Sequence, residues 1–249
     1  MKDFAPRFEQ SVEIVQDPVI QRYVSKVAEN LAHNSDWKGP VIVRVVKSPV
    51  VNSVSLPGAF IYLSSALVLK AENEDQVAGA IAHQIAHAAA RHWASELTKS
   101  TILQFGVPPL ISFSSASSPP IYTTTGMPVS SACSGFLVYH YDPQGRPSAP
   151  YLGDSLYAAY MPGVPLTFIK FRRQDELEAD YLGLQYMYKA GYDPGGYVDL
   201  LRKLALMQPP SPLPDSLQAM PPFSERIAKA DQEIRTILPN LRTPAKPGR

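Results

Sequence analysis

Proline most limits where this chain can build regular structure, because it removes a backbone donor and breaks helix interiors. The chain holds 25 prolines in 249 residues, about twice average usage. Ten lie from Pro108 to Pro165 and nine from Pro209 to Pro247, whereas none occurs between Pro57 and Pro108 or between Pro165 and Pro194. Those two empty windows are where long helices, and chemistry that needs a rigid support, are expected.

Local signals fill in the rest. Asp17 is a plausible N-cap with Pro18 behind it, and Ile20, Val24, Val27 and Leu31 form a helical stripe that should end near His33 and Asn34. Val41 to Val46 reads as a strand, and a second strand is expected at Ala59 to Ser64 after the Pro57-Gly58 turn. The first window should hold one helix from Glu72 to about Leu103, opened by Glu72, Glu74 and Asp75. Val77, Ile81, Ile85 and Ala88 share one face and alanines cover most of the remainder, so it reads as a buried central helix. The second window should carry a helix from about Phe171 to Lys189, with Leu177, Tyr181, Leu184 and Tyr188 buried and Gly191 as its stop. A last helix is expected from Ser224 as N-cap through Ile227, Ala230, Ile234 and Leu238.

Residues 100–169 contain only three charged side chains, Asp142, Arg146 and Asp154, among many aromatic ones. So little charge is unsuited to a solvated linker, and the stretch reads as a loop-rich insertion packed on the domain. With 45% apolar and 18% charged residues, the whole chain, 1–249, suits one globular domain. The insertion would cover about 104–168 and a proline-rich tail about 239–249.

Charge and cysteine usage exclude other classes. Basic and acidic residues number 23 and 22 with no basic run, so no nucleic acid partner is expected. A single cysteine, Cys133, allows neither an internal disulfide nor a cysteine-based zinc cluster, so a metal would have to sit on histidines and carboxylates. The first residues hold no apolar run behind a basic start, and nothing reaches 18 consecutive apolar residues, so neither a signal peptide nor a transmembrane helix is expected in the sequence as it stands.

Against that background one constellation stands out. His83-Gln84-Ile85-Ala86-His87 places two imidazoles four apart on the central helix, side by side on one face, at the spacing of two zinc ligands. Glu176 and Asp180 are likewise four apart on the second helix. Two histidines and a glutamate with one open position make a catalytic zinc site. Asp180 would then accept a hydrogen bond from the free ring nitrogen of one histidine and fix its tautomer. The competing readings are two core histidines and a solvated acidic face, since Asp175 and Glu178 stand beside the pair.

The stretch from Asn73 to His92, with Glu176-Leu-Glu-Ala-Asp180 downstream, resembles the zinc metallopeptidases of the CAAX-prenyl-protease and HtpX type, which are gluzincins, and most closely their soluble periplasmic members. Asp17 to Val24, Asn52 to Tyr62, Ala190 to Pro194 and Pro222 to Ile227 carry further likeness, so the resemblance spans about residues 16–235. It implies an α+β, gluzincin-like fold: a central zinc-binding helix, a second ligand-bearing helix, a small sheet and a long inserted loop region. It also implies one zinc ion per chain held by His83, His87 and Glu176, with Asp180 as the orienting carboxylate. The implied function is zinc-dependent endopeptidase hydrolysis of proteins in envelope quality control, in the bacterial periplasm or cell envelope. The substrate would be a protein or peptide lying extended beside the edge strand, taken to be Ala59 to Ser64.

Three departures bear on that function. The family motif is His-Glu-x-x-His, whereas position 84 is Gln. Hydrolysis needs water acidified by the metal and a base that takes its proton; glutamine cannot take one, and loss of a general base costs about 10² to 10⁴ in rate. The expectation is a zinc-binding protein with crippled turnover, the alternative an inactive pseudoprotease that binds unfolded or apolar polypeptides. Met220-Pro221 stands where relatives often carry His-Pro, so a fourth, switching histidine is absent. The insertion is long, and its aromatic content suits a lid over an apolar substrate or contact with a membrane surface.

Four further residues receive weaker readings. His92, nine residues after His83 and about 180° around an unbroken helix, should not share the metal and is read as a core residue or a support behind a ligand. His140 is a candidate oxyanion donor. Arg226 would either hold a carboxylate near the site or make a surface ion pair. Arg91 matches the family without a derivable role.

Overall fold

The computed structural model describes residues 4–95, 166–207 and 220–236. The fold is α+β as expected, mostly helical with one three-stranded mixed sheet. The elements in chain order are α1 (Phe4–Ser11), α2 (Pro18–His33), β1 (Ile42–Val46), β2 (Ser53–Leu56), β3 (Phe60–Ser64) and α3 (Ser65–Lys70). They continue with α4 (Glu74–Ala89), α5 (Leu166–Lys189), α6 (Gly195–Met207) and α7 (Phe223–Thr236). No helix among the described residues is long and apolar enough to cross a membrane.

Helix α2 begins where its cap predicts: the Asp17 carboxylate accepts from the backbone N–H groups of Val19 and Ile20 at 2.8 and 3.2 Å. Its Val24, Val27, Ala28 and Leu31 are buried. Strand β1 runs parallel to β3, and β2 pairs antiparallel with β3, giving the order β1-β3-β2. This corrects the assignment of Ala59 to Ser64 as the edge strand. Residues 53–56 form an additional strand that folds back over the Pro57-Gly58 turn, with Gly58 at φ +91° and Ala59 at φ +58°, and covers β3. The outer side of β1 is bridged at Ile14, so β2 is the open edge among the described residues.

Helix α4 is the hub. Asn73 caps it by accepting from Gln76 N–H at 3.0 Å, and every side chain from Gln76 to His87 is buried. It packs against α2, α5, α6 and β2. The expected continuous helix to Leu103 is not formed. Its regular part ends at Ala89, and Arg91 turns the chain in the left-handed region at φ +57°. A proline-free, alanine-rich run permits a helix without requiring one, and here contacts beyond Arg91 bend the chain back.

Helix α5 also departs from expectation in its rotation. Of Leu177, Tyr181, Leu184 and Tyr188 only Leu184 is fully buried, and Tyr181 is 42% exposed. The face against α4 instead carries Glu176, Ala179, Asp180, Gly183 and Met187. Small residues decide this: a Cβ on Gly183 would lie 3.1 Å from the backbone nitrogen of His83, so the two helices meet there at close range. Gly191, at φ +84°, ends α5 as predicted, with Tyr192 N–H returning to Met187 C=O at 2.9 Å. Helix α7 starts at Phe223, one residue before the expected cap Ser224. It buries Arg226, Ala230 and Glu233, with Ile227 and Ile234 partly buried on the core and Leu238 outside the described residues.

Candidate metal centre

Helical spacing on α4 and the close approach of α5 bring three ligand-type atoms to one point. His83 Nε2 and His87 Nε2 are 3.1 Å apart, and the Glu176 carboxylate lies 3.4 Å from the first and 3.5 Å from the second. All three side chains are buried. Two imidazole nitrogens and a carboxylate oxygen this close can share protons among themselves, or can hold a divalent cation of borderline softness such as zinc. The donor set fits that group, and each donor is held from behind.

The support of His83 is a four-residue network. Its Nδ1 lies 3.0 Å from Asp180 Oδ1 and 3.0 Å from the Tyr197 hydroxyl. Tyr197 donates to Asp180 Oδ1 at 2.5 Å. Arg226, on α7, forks onto Asp180 with Nε and Nη2 each at 2.7 Å and also donates to Tyr197 at 2.9 Å. Such a planar fork fixes the carboxylate in two directions. Of the two readings for Arg226, the structure places it at the site, 5% exposed and holding a carboxylate.

Charge within the cluster follows from these contacts. Burial alone would lift the Glu176 carboxyl, but His87, His83 and Arg226 hold it down at about 2. Asp180 is likewise held well below the usual carboxylate range, as Arg226 and His83 outweigh burial. Burial pushes His83 down, yet the hydrogen bonds it donates to Asp180 and Glu176, with the charges of those carboxylates, leave it raised overall. For His87, burial and the two neighbouring histidines outweigh the charges of Glu176 and Asp180, and it falls to about 3. At neutral pH Glu176 is therefore ionised and His87 neutral, the states in which those two groups ligate.

Gln84 lies between the histidines, 3% exposed. Its Nε2 donates to Ser53 Oγ at 3.0 Å and to Ser53 C=O at 3.4 Å, tying α4 to β2, while its buried Oε1 has no partner among the described residues.

His92 is buried behind His87, with the two Nδ1 atoms 2.9 Å apart. The left-handed turn at Arg91 places it there. Met220 lies in the segment leading into α7 and is partly buried. His140, Cys133, the insertion up to residue 165 and the 239–249 tail lie outside the described residues.

Tyr197 and Ser53 were not singled out by the sequence. Ser53-Val54-Ser55-Leu56 alternates polar and apolar residues and so carried a strand signal. Tyr197, beyond the Gly195-Gly196 pair, carried none, because what brings it to His83 is the packing of α6 on α4.

Comparison with known proteins agrees with this geometry. The chain is 26% identical over 231 residues to the beta-barrel assembly-enhancing protease of Escherichia coli K12, covering 92% of this chain and 42% of that one. It is 26% identical over 228 residues to the protein of the same name from Yersinia pestis, covering 87% and 41%. To the mitochondrial metalloendopeptidase OMA1 of Arabidopsis thaliana it is 27% identical over 183 residues, covering 73% and 30%. The chain thus spans about two fifths or less of the length of these relatives. The model of peptidase family M48 matches residues 16–234, the span that holds the His83/His87/Glu176 triangle and everything described around it, and the chain belongs to that family.

Proposed function

We propose that the chain is a zinc-dependent metalloendopeptidase domain whose turnover is impaired at Gln84. The observation that carries the reading is the convergence of His83 Nε2, His87 Nε2 and Glu176 within hydrogen-bonding range. These three would hold one zinc ion per chain, with Asp180 orienting His83. When bound, zinc supplies a Lewis acid that polarises a carbonyl and lowers the pKa of water.

The chain's own residues do the rest. Asp180 keeps the His83 proton on Nδ1, and Arg226 and Tyr197 keep Asp180 in place. Glu176, ionised and buried, supplies the negative charge that a divalent cation needs. Gln84 stands where the family carries a glutamate; its amide can donate and accept hydrogen bonds but cannot take a proton. A polypeptide substrate would lie extended along β2, the open edge beside α4, held by main-chain hydrogen bonds. The proposal includes one metallopeptidase domain, an aromatic insertion acting as a lid or membrane-surface contact, and a location in the bacterial envelope.

A second reading is a pseudoprotease that keeps zinc and the groove and holds unfolded or apolar polypeptides without cutting them. The engagement of the Gln84 amide with Ser53 favours it, because position 84 then fastens β2 to α4.

Zinc content and cleavage of an unfolded protein, measured for the wild type and Gln84→Glu, test both. One zinc per chain, with cleavage rising about 10² to 10⁴ in Gln84→Glu, supports the impaired enzyme. Zinc with no cleavage in either chain supports the pseudoprotease, and no stoichiometric zinc removes both.

A further inference from the structure

Each histidine of the triangle has a second ring nitrogen, and the two are supported differently. His83 Nδ1 meets the Asp180 carboxylate directly. Among the described residues His87 Nδ1 meets no carboxylate. It meets His92 Nδ1 at 2.9 Å, with the rings edge-on at 75° and both side chains buried. On its other side His92 Nε2 faces Glu178 Oε2 at 3.4 Å and Asp175 Oδ1 at 3.9 Å, both on α5.

The backbone is bent to make this contact. On an unbroken helix His92 would lie about 140° around from His87. Arg91 adopts φ +57° instead, a conformation unfavourable for a residue with a Cβ and one that persists only where surrounding contacts hold it.

Proton counting fixes the direction of the chain of hydrogen bonds. One hydrogen sits between two imidazole nitrogens. If His87 offers the lone pair of Nε2 to a cation, its Nδ1 carries the hydrogen and donates it, and His92 Nδ1 accepts. A neutral His92 then carries its own hydrogen on Nε2, pointing at Glu178 and Asp175. We infer that His92 is a positioning residue for the metal site: it holds His87 in the Nε2-ligating tautomer and links it to the α5 carboxylates.

The same count decides against a second cation on His92, Asp175 and Glu178, although their atoms lie close enough for one. A lone pair on His92 Nε2 would put the hydrogen on Nδ1, which would donate to His87 Nδ1. His87 would then be protonated on Nε2 and lost to the first site. With neutral rings the two sites exclude one another, and the arrangement on the His83 side, where Asp180 and Arg226 are already ordered around a ligating His83, selects the first.

The inference rests on the zinc reading above, and the test separates them. Zinc affinity is measured by chelator competition for the wild type, His92→Leu and His92→Asn, the two introduced side chains having the same number and branching of heavy atoms. The Asn carbonyl can accept from His87 in place of Nδ1, and Leu cannot. Zinc should bind His92→Leu about 10- to 100-fold more weakly and His92→Asn nearly as tightly as the wild type. Ring-nitrogen NMR of the zinc-loaded wild type should show hydrogen on His87 Nδ1 and on His92 Nε2. Wild-type affinity in His92→Leu, equal weakening in both variants, or hydrogen on His92 Nδ1 overturns the inference alone. A wild type that binds no zinc overturns both, and so does not depend on whether a variant folds.

Discussion

At the scale of single residues, two buried ionisable groups outside the ligand triangle are open to test. Arg226 forks onto Asp180 and also reaches Tyr197. Removing one partner of a buried pair leaves the other charged and desolvated, which costs about 3 to 5 kcal/mol. Arg226→Ala should therefore lose that much in urea unfolding, and Arg226→Lys less, because it keeps the charge without the fork; equal, small losses in both would contradict this account. Glu233 is the opposite case. It is 5% exposed, with Gln185 Nε2 donating to it at 3.4 Å. Burial, against that hydrogen bond and with help from the Asp180 charge, pushes its carboxyl from 4.5 up to about 8. The folded chain thus binds a proton that the unfolded chain has released, so the stability this group contributes is complete below about 4.5 and is lost as pH rises through about 8. The loss is about 1.4 kcal/mol or less per pH unit in that window. Glu233→Gln stays neutral, so its unfolding free energy should fall less than the wild type's between pH 5 and pH 8; parallel profiles would show that Glu233 does not titrate in this range.

At the scale of elements, stability and site geometry depend on how closely helices approach α4. A Cβ on Gly79 would sit 2.7 Å from the Cβ of Tyr197 and 3.0 Å from its Cα, so Gly79→Ala must push α6 outward. Overpacking of this kind costs about 1 to 3 kcal/mol. Tyr197 is the residue displaced, so the variant should also lose zinc affinity; unchanged stability and affinity would mean that α6 does not set the position of Tyr197. These contacts also explain what could be read from the sequence. The start of α2 at Asp17-Pro18, the start of α4 in the acidic turn around Glu74 and Asp75 and the end of α5 at Gly191 are local events, decided by a few neighbouring side chains or one backbone conformation. The pairing of His83 with His87 and of Glu176 with Asp180 is local too, since it follows from helical spacing. The rotation of α5 is not, because Ala179 and Gly183 matter only through what they let approach, and a hydrophobic stripe containing Tyr181 pointed elsewhere. The end of α4 was hidden for a similar reason: nothing in Ala88-Ala89-Ala90-Arg91 marks a left-handed turn, and its cause is a contact between His92 and residues of α4 and α5. Arg226 was ambiguous because an arginine on a helix carries no sign of which neighbour it will meet.

At the scale of the whole molecule, the site joins segments that are far apart in the chain. His83 and His87 come from α4, Glu176 and Asp180 from α5, Tyr197 from α6 and Arg226 from α7. The two carboxylates at the centre share Arg226, which forks onto Asp180, and Glu176 is 3.9 Å from its nearest guanidinium nitrogen. A cation at the triangle would compensate Glu176 and cross-link α4 to α5, so its binding free energy becomes folding free energy. Zinc at about a hundred times its dissociation constant should therefore raise the unfolding free energy by about 2.7 kcal/mol, and an excess of chelator should remove that gain. Glu176→Gln keeps the side-chain shape and discards the charge, so it should be indifferent to zinc and chelator alike. The comparison is made by urea unfolding at fixed pH, with each chain measured in zinc and in chelator. A wild type equally stable in both would show that the triangle is a hydrogen-bonded core cluster. Gains of the same size in both chains would place the zinc away from Glu176. The expected pattern, a gain confined to the wild type, ties the buried charge on α5 to the histidine pair on α4 through the metal.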